Sequence, residues 1–269
     1  MRESISACIT CCDEEKNIRR CLESLRWADE IVVVDSFSKD RTLEICREYV
    51  DRIYQHKWLG YIGQKNLIKD LANGPWILFV DADEEVSPEL RRQILEEFES
   101  GRNRDFDGYE FPRMVYYLGR WIRHGEWYPD VKMRLFRKSK GICGGHEPHD
   151  RTYVHGAVKR FPGHLYHYTY DSIWDQVRTL NEFSTITARG MFESRQSFLW
   201  MDLLLRPMFR FIRGYLLKRG ILDGWRGLII AFCTSFGVFL KYAKLYEMYL
   251  AERRRAEQAT RGSADSTKA

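Results

Sequence analysis

The sequence predicts an α/β fold with a mostly parallel sheet flanked by helices and a helical C-terminal region. Two observations carry this. Over the first hundred residues short apolar runs alternate with amphipathic segments, the pattern of parallel strands joined by helices. From Phe198 to about Leu250 apolar residues dominate instead.

Ile5–Ile9 is the first strand candidate. Ile18, Cys21, Leu22 and Leu25 recur at i, i+3, i+4 and i+7 and mark one buried helix face. Ile31–Val34 is β-branched, too short for a helix, and apolar on both faces, as an inner parallel strand requires. A helix through Leu43, Ile45, Cys46 and Tyr49, a short strand Arg52–Tyr54 and a helix over about 61–71 follow, the last stopped by Asn73-Gly74-Pro75. Trp76–Val80 is the next inner strand. Ser87-Pro88 offers an N-cap and an N1 proline for a helix to about Phe98. Beyond Gly101 the pattern loosens into aromatic-rich strands and loops between Asp107 and Tyr168, expected to be an antiparallel extension with long loops. A helix through Ile173, Trp174, Val177, Leu180 and Phe183 closes the first region.

The expected organisation is one α/β domain over 1–190, in two halves of 1–100 and 101–190. A helical region over 191–250 and a polar, disordered tail over 251–269 follow. With 269 residues the chain builds a sizeable core without staples. Its seven cysteines are odd in number and mostly sit in apolar runs, which fits a reduced compartment and small buried hydrophobes. No apolar h-region follows Met1, so the expected location is cytoplasmic.

Asp35 and Asp81 each directly follow a buried strand run, and Thr10, Asp13 and Glu14 follow the first strand in the same way. In an open parallel sheet the carboxyl ends of strands face the ligand crevice, so these residues point to one site. The alternation in Asp81-Ala82-Asp83 turns one carboxylate to a nucleotide and the other to a cation. Mg²⁺ or Mn²⁺ takes one or two protein carboxylates and completes its shell with water and phosphate oxygens.

With these motifs in order, residues 4–98 resemble the inverting family 2 glycosyltransferases of GT-A (Rossmann-like) fold. Ile9-Thr10-Cys11-Cys12-Asp13-Glu14-Glu15 stands where that family has a strand, Thr and an Asn-Glu-Glu-like loop, with Asp13 replacing the usual Asn. Asp35-Ser36-Phe37-Ser38-Lys39-Asp40-Arg41-Thr42, Gly63-Gln64-Lys65-Asn66 and Asp81-Ala82-Asp83-Glu84 match its further motifs. The resemblance implies a UDP-sugar donor, with Thr10, Glu14 and Asp35 on the uridine, Lys65 near the base or diphosphate, Asp81 on the ribose side and Asp83, with Asp81, at the metal. Asp40 and Thr42 read as helix caps.

Inverting transfer needs a base beside the acceptor hydroxyl, away from the departing diphosphate. Glu147, in the glycine-flanked Gly144-Gly145-His146-Glu147, is the preferred base, and Asp130 the alternative. Asp130–Arg137, His146-Glu147, His167–Tyr170 and Lys218–Gly224 resemble the branch that builds lipopolysaccharide cores, which implies transfer of a hexose, glucose above others, to a glycolipid or oligosaccharide acceptor. A polyprenyl-phosphate sugar transferase is the alternative within the same chemistry, and a non-catalytic nucleotide-binding or scaffold protein the alternative outside it. The two His-x-x-His pairs, 146/149 and 164/167, lack a helix face or nearby Cys for zinc.

Residues 195–269 hold 14 Lys/Arg against 6 Asp/Glu, a charge of +8 within a net +5. Arg206, Arg210 and Arg213 form one stripe on an otherwise aliphatic helix, the composition of a helix lying in an anionic membrane surface. The uncharged stretch Gly227–Leu240, 14 residues, would extend about 21 Å as a helix, short of a hydrocarbon core of about 30 Å. Peripheral contact with the inner face of a bacterial cytoplasmic membrane is therefore expected. A helical cap, or a homo-oligomer contact, is the alternative for this region. Nucleic acid is not expected, because aliphatic bulk rather than stacking aromatics separates the basic residues.

Overall fold

The computed structural model describes residues 2–146 and 149–266. They form two compact units, one of residues 1–123 and 127–171, the other of 124–126 and 172 onward. The division thus falls at Asp171, ahead of the boundary expected at 190.

In the first unit β1 (Ile5–Cys11), α1 (Ile18–Leu25), β2 (Glu30–Asp35), α2 (Thr42–Arg47), β3 (Arg52–Gln55), α3 (Gly60–Leu71), β4 (Trp76–Asp81), β5 (Glu84–Val86) and α4 (Pro88–Glu99) follow the order read from the sequence. Then come β6 (Gly108–Tyr117), β7 (Arg120–Trp121), β8 (Asp130–Arg137), β9 (Gly141–His146), β10 (His149–Val154), β11 (Val158–Arg160) and β12 (Leu165–Tyr170). The large sheet runs β3-β2-β1-β4-β8-β6-β12-β5, with β7 and β11 on β6. β3, β2, β1 and β4 are parallel, whereas β8 enters antiparallel to both β4 and β6. β9 and β10 form a separate hairpin.

Strand alternation sorts the core into two faces. Ile5, Ala7, Ile9, Val33, Trp76, Leu78 and Val80 join the buried side chains of α1, α2 and α4. Cys8, Val32, Val34, Ile77 and Phe79 join Ile68 of α3, and Phe136. Inner strands apolar on both faces are what this layering demands, and each such fully buried side chain contributes about 1.5–3 kcal/mol. Ile18, Cys21, Leu22 and Leu25 are fully buried, as their spacing predicts. Ser87 Oγ accepts from Leu90 N–H at 3.1 Å and caps α4. At Gly141 an added Cβ would lie 2.0 Å from the Phe136 ring, so the start of β9 admits no side chain.

The second unit comprises α5 (Ile173–Glu193), α6 (Trp200–Ile212), a π turn at Arg213–Leu217 and α7 (Gly224–Ser266). Ala188, Met191, Tyr242 and Leu245 are its buried core. α7 continues helically through Ser266, beyond Leu250, where the sequence reading places a disordered tail. Gly220–Arg255 is long and apolar enough to cross a membrane, with 28% of its most apolar window buried. It exceeds the 14-residue uncharged stretch because a few charges within a continuous helix do not interrupt its apolar length.

Candidate active site

Register brings the strand ends level. Cys11 pairs with Asp35 and Thr10 with Asp81, so β1, β2 and β4 end side by side at one edge of the sheet. Thr10, Asp35 and Asp81 therefore share that edge, and Asp83 follows in the turn after β4.

The loop after β1 is laced to the loop after β2. Asp13, at φ +55, donates its N–H to Ser38 Oγ at 2.9 Å and accepts from Lys39 N–H at 2.7 Å. Glu14 N–H donates to Thr42 Oγ1 at 2.7 Å, and Asp40 accepts from Thr42 N–H at 2.9 Å; the N-cap of α2 is Arg41, whose side chain makes no cap hydrogen bond, so this pair ties the two loops together at the helix start. Asp35 is fully buried. It accepts from Ser38 N–H and Oγ–H and, at 3.1 Å, from Gln55 Nε2, so its carboxylate organises the loop from beneath. Burial, then the neighbouring charge of Asp83, pushes the Glu14 carboxyl up to about 7.

Asp81 is held by two cations. Lys65 Nζ lies 3.2 Å from Oδ1 and Arg134 Nη2 2.5 Å from Oδ2. Burial opposes its ionisation, but Arg134 and Lys65 outweigh burial and keep the carboxyl well below the usual carboxylate range. Lys65 also reaches Asp150 at 2.9 Å. Arg134 reaches Glu84 at 2.8 Å, and Glu84 accepts from Asp81 N–H at 2.9 Å. Arg113 continues the network from Glu84 (3.3 Å) to Asp130 (2.7 Å).

Asp83 stands apart from those cations. Its Oδ2 faces His167 Nε2 at 3.0 Å, and its main-chain carbonyl accepts from Tyr168 N–H at 2.9 Å. The Asp83 side chain is 24% exposed, and His167 Nδ1 is buried without a partner among the described residues. No group of three His, Cys, Asp or Glu forms a metal cage among them. The single carboxylate of Asp83 nonetheless suits a hard ion such as Mg²⁺ or Mn²⁺, which draws most of its shell from water and phosphate, and the His167 imidazole, a softer donor, is placed to orient that carboxylate. Asp81, already bound at both oxygens, is placed to hold this arrangement together rather than to supply a free ligand.

Of the two base candidates, Glu147 lies outside the described residues. Asp130 is engaged by Arg113 and, at 3.1 Å, by Lys132. Burial works against its charge, and these two cations outweigh burial and lower its pKa. Sequence reasoning missed Arg113, Arg134, Asp150 and His167. The signals available were the Asp130–Arg137 segment, where Asp130, Lys132 and Arg134 alternate along β8, and the His167–Tyr170 segment, neither of which names the partner its side chains meet.

The sequence matches the profile of glycosyl transferase family 2 over residues 6–162. The chain belongs to this family. The family 2 profile thus spans both the strand-end acids and the antiparallel strands that carry Arg113 and Arg134. The chain is 29% identical over 257 residues to the lipopolysaccharide core biosynthesis glycosyltransferase LpsC of Rhizobium meliloti, covering 93% of this chain and 94% of LpsC. It is 28% identical over 263 residues to an uncharacterized glycosyltransferase of Rickettsia typhi, covering 93% of this chain and 89% of that one. Among solved structures, S. aureus TarS 1–349 in complex with UDP-GlcNAc is similar with a TM-score of 0.47 at 15% identity, over 93% of this chain and 92% of TarS.

Proposed function

We propose that this family 2 glycosyltransferase moves a hexose, with glucose the first choice, from a UDP-sugar to a lipopolysaccharide-core or related glycolipid acceptor, inverting the anomeric configuration. The observation that carries the reading is the level ending of β1, β2 and β4, with Thr10, Asp35 and Asp81 at one edge and Asp83 in the next turn. The likeness to LpsC along nearly the whole chain supports the acceptor class.

In this reading Thr10 and Glu14 take the uridine and Asp35 shapes the loop against it. Lys65 and Asp81 sit at the ribose and diphosphate side. Asp83, oriented by His167, would hold Mg²⁺ or Mn²⁺, which when bound offsets charge on the leaving diphosphate. The acceptor hydroxyl oxygen attacks the anomeric carbon from the face opposite the diphosphate. The new C–O bond forms as the bond to the diphosphate oxygen breaks, UDP departs, and the hydroxyl proton passes to Glu147, with Asp130 as the alternative base. Alignment of the two reactants supplies much of the rate.

The second unit is assigned to peripheral contact with an anionic membrane. Met201, Leu204, Leu205, Met208 and Phe209 of α6 are at least half exposed beside the Arg206/Arg210/Arg213 stripe. A polyprenyl-phosphate acceptor fits the same surface and is the second reading.

Labelled UDP-sugars are offered to the purified full-length chain with lipid-A-core and with polyprenyl-phosphate acceptors, with and without EDTA. Metal-dependent transfer to the core acceptor is expected, and Glu147→Gln should bind donor without transferring. Transfer only to the polyprenyl phosphate would overturn the acceptor, and unchanged turnover in EDTA would overturn the metal.

A further inference from the structure

The second unit contains a cavity of about 390 Å³ between α6 and α7, lined by Leu205, Arg206, Phe209, Arg210, Arg213, Val238, Lys241 and Tyr242. Its composition is divided: four cations, and aliphatic and aromatic side chains beside them. Such a lining matches a ligand with an anionic head and an apolar body.

The charges do not cancel within the unit. Arg206 pairs with Asp202. Arg210 and Arg213 face Glu126 at 2.9 and 3.7 Å, and Lys218 adds a third cation to that carboxylate at 3.7 Å. Lys241 pairs with no carboxylate among the described residues and lies 5.0 Å from the Tyr242 ring centroid. Arg206, Arg210, Arg213, Lys218 and Lys241 thus face two carboxylates, Asp202 and Glu126, and a cationic surplus of three remains. Burial, then the like charges of Arg206 and Arg210, holds the Lys241 ammonium below its usual range, so an arriving anion would relieve repulsion already present. The Nε of Arg210 is buried and makes no hydrogen bond among the described residues.

The apolar side of the cavity is continuous with exposed surface. Leu205 is 50% and Phe209 60% exposed, and both lie on the outer stripe of α6 as well as in the lining. An acyl chain entering along that stripe would bring its head group to the cations.

We propose that this cavity binds the phosphomonoester head of a membrane amphiphile, with Lys241 and Arg206 as the principal contacts and Leu205 and Phe209 against the chain. A phosphomonoester carries between one and two negative charges near neutral pH and so offsets more of this cationic surplus than the single charge of a diester. The proposal rests on the membrane reading of this unit and narrows a diffuse electrostatic contact to one site of defined chemistry.

The test uses the full-length protein and sedimentation with phosphatidylcholine vesicles carrying phosphatidic acid, or phosphatidylserine at matched surface charge. Binding to the phosphatidic acid vesicles should be tighter. Lys241→Gln should weaken it by more than the about fivefold that losing one cation near any anionic surface costs, while phosphatidylserine binding falls by no more than that amount and far-UV circular dichroism is unchanged, and Lys241→Arg should restore it. Monomeric dihexanoyl phosphatidic acid should bind saturably by calorimetry where inorganic phosphate does not. Equal binding to both vesicle types, or an unaffected Lys241→Gln, overturns the cavity assignment and leaves the membrane reading standing. Equal affinity for inorganic phosphate also overturns it, since the site would then serve a free anion. Saturable binding of the monomeric lipid without sedimentation on any vesicle would support the cavity and overturn the membrane reading.

Discussion

His167 Nε2 lies 3.0 Å from Asp83 Oδ2, across 84 residues of sequence. β12 carries this histidine to the turn after β4, because β12 pairs with β5, the strand that leaves that turn. Asp83 is thereby aimed by a neighbouring strand and does not depend on its own short turn for orientation.

If Asp83 holds the cation, His167→Ala should raise the metal concentration for half-maximal turnover about 10–100-fold, the usual effect of removing a group that orients or joins a metal ligand. Saturating Mn²⁺ should recover much of the rate. Asp83→Asn should show no such recovery, and a metal titration of transfer for both variants decides between a ligand and a bystander.

Glu14 gives a pH signature. Its carboxyl is raised from 4.5 to about 7 in the folded chain, so the folded state holds a proton that the unfolded state releases earlier. Its contribution is fully present below pH 4.5 and is lost as pH rises to about 7. The stability of the wild type relative to Glu14→Gln should therefore fall across that window and level off above it. Denaturant unfolding of both proteins at several pH values measures the difference, and a flat difference would remove the shift.

Lys65 joins Asp81 to Asp150 with only 8% of its side chain exposed. Lys65→Met keeps the length but leaves two carboxylates without their shared cation. A loss of about 3 kcal/mol in urea unfolding is expected, as for removing one partner of a buried ion pair. A loss within the noise would mean that water already reaches these acids.

Asp130→Asn tests the alternative base. Its contacts with Arg113 and Lys132 predict a stability cost of about 2 kcal/mol, with turnover retained to within about tenfold. A general base contributes about 10²–10⁴-fold, so a fall of that size would transfer the role from Glu147 to Asp130.

The parallel half of the sheet was legible because its strands are buried on both faces. Ile31–Val34 and Trp76–Val80 admit no helical reading, and the acids that follow them fall at strand ends by connectivity alone. The spacing of Ile18, Cys21, Leu22 and Leu25 likewise specifies a face. What sequence could not supply was pairing across distance. Lys65 meets Asp150 over 85 positions and Arg134 meets Asp81 over 53, and nothing local in either partner marks the other. Asp35 shows the same limit in reverse. Its position was read correctly, but its use beneath the loop depends on Ser38 and Gln55 turning toward it. The helical continuation past Leu250 was missed because polar composition alone does not distinguish a solvated helix from coil.

The doubly paired Asp81 also bears on how ionic strength acts on the two units. Lys65 and Arg134 are buried, so mobile ions screen their attraction to Asp81 only weakly, and this edge of the sheet should keep its charge balance in concentrated salt. Arg206 and its neighbours lie near solvent, where screening is effective over about 8–10 Å. If the second unit contacts an anionic membrane as proposed, added electrolyte should detach it well before it disturbs the acids at the strand ends.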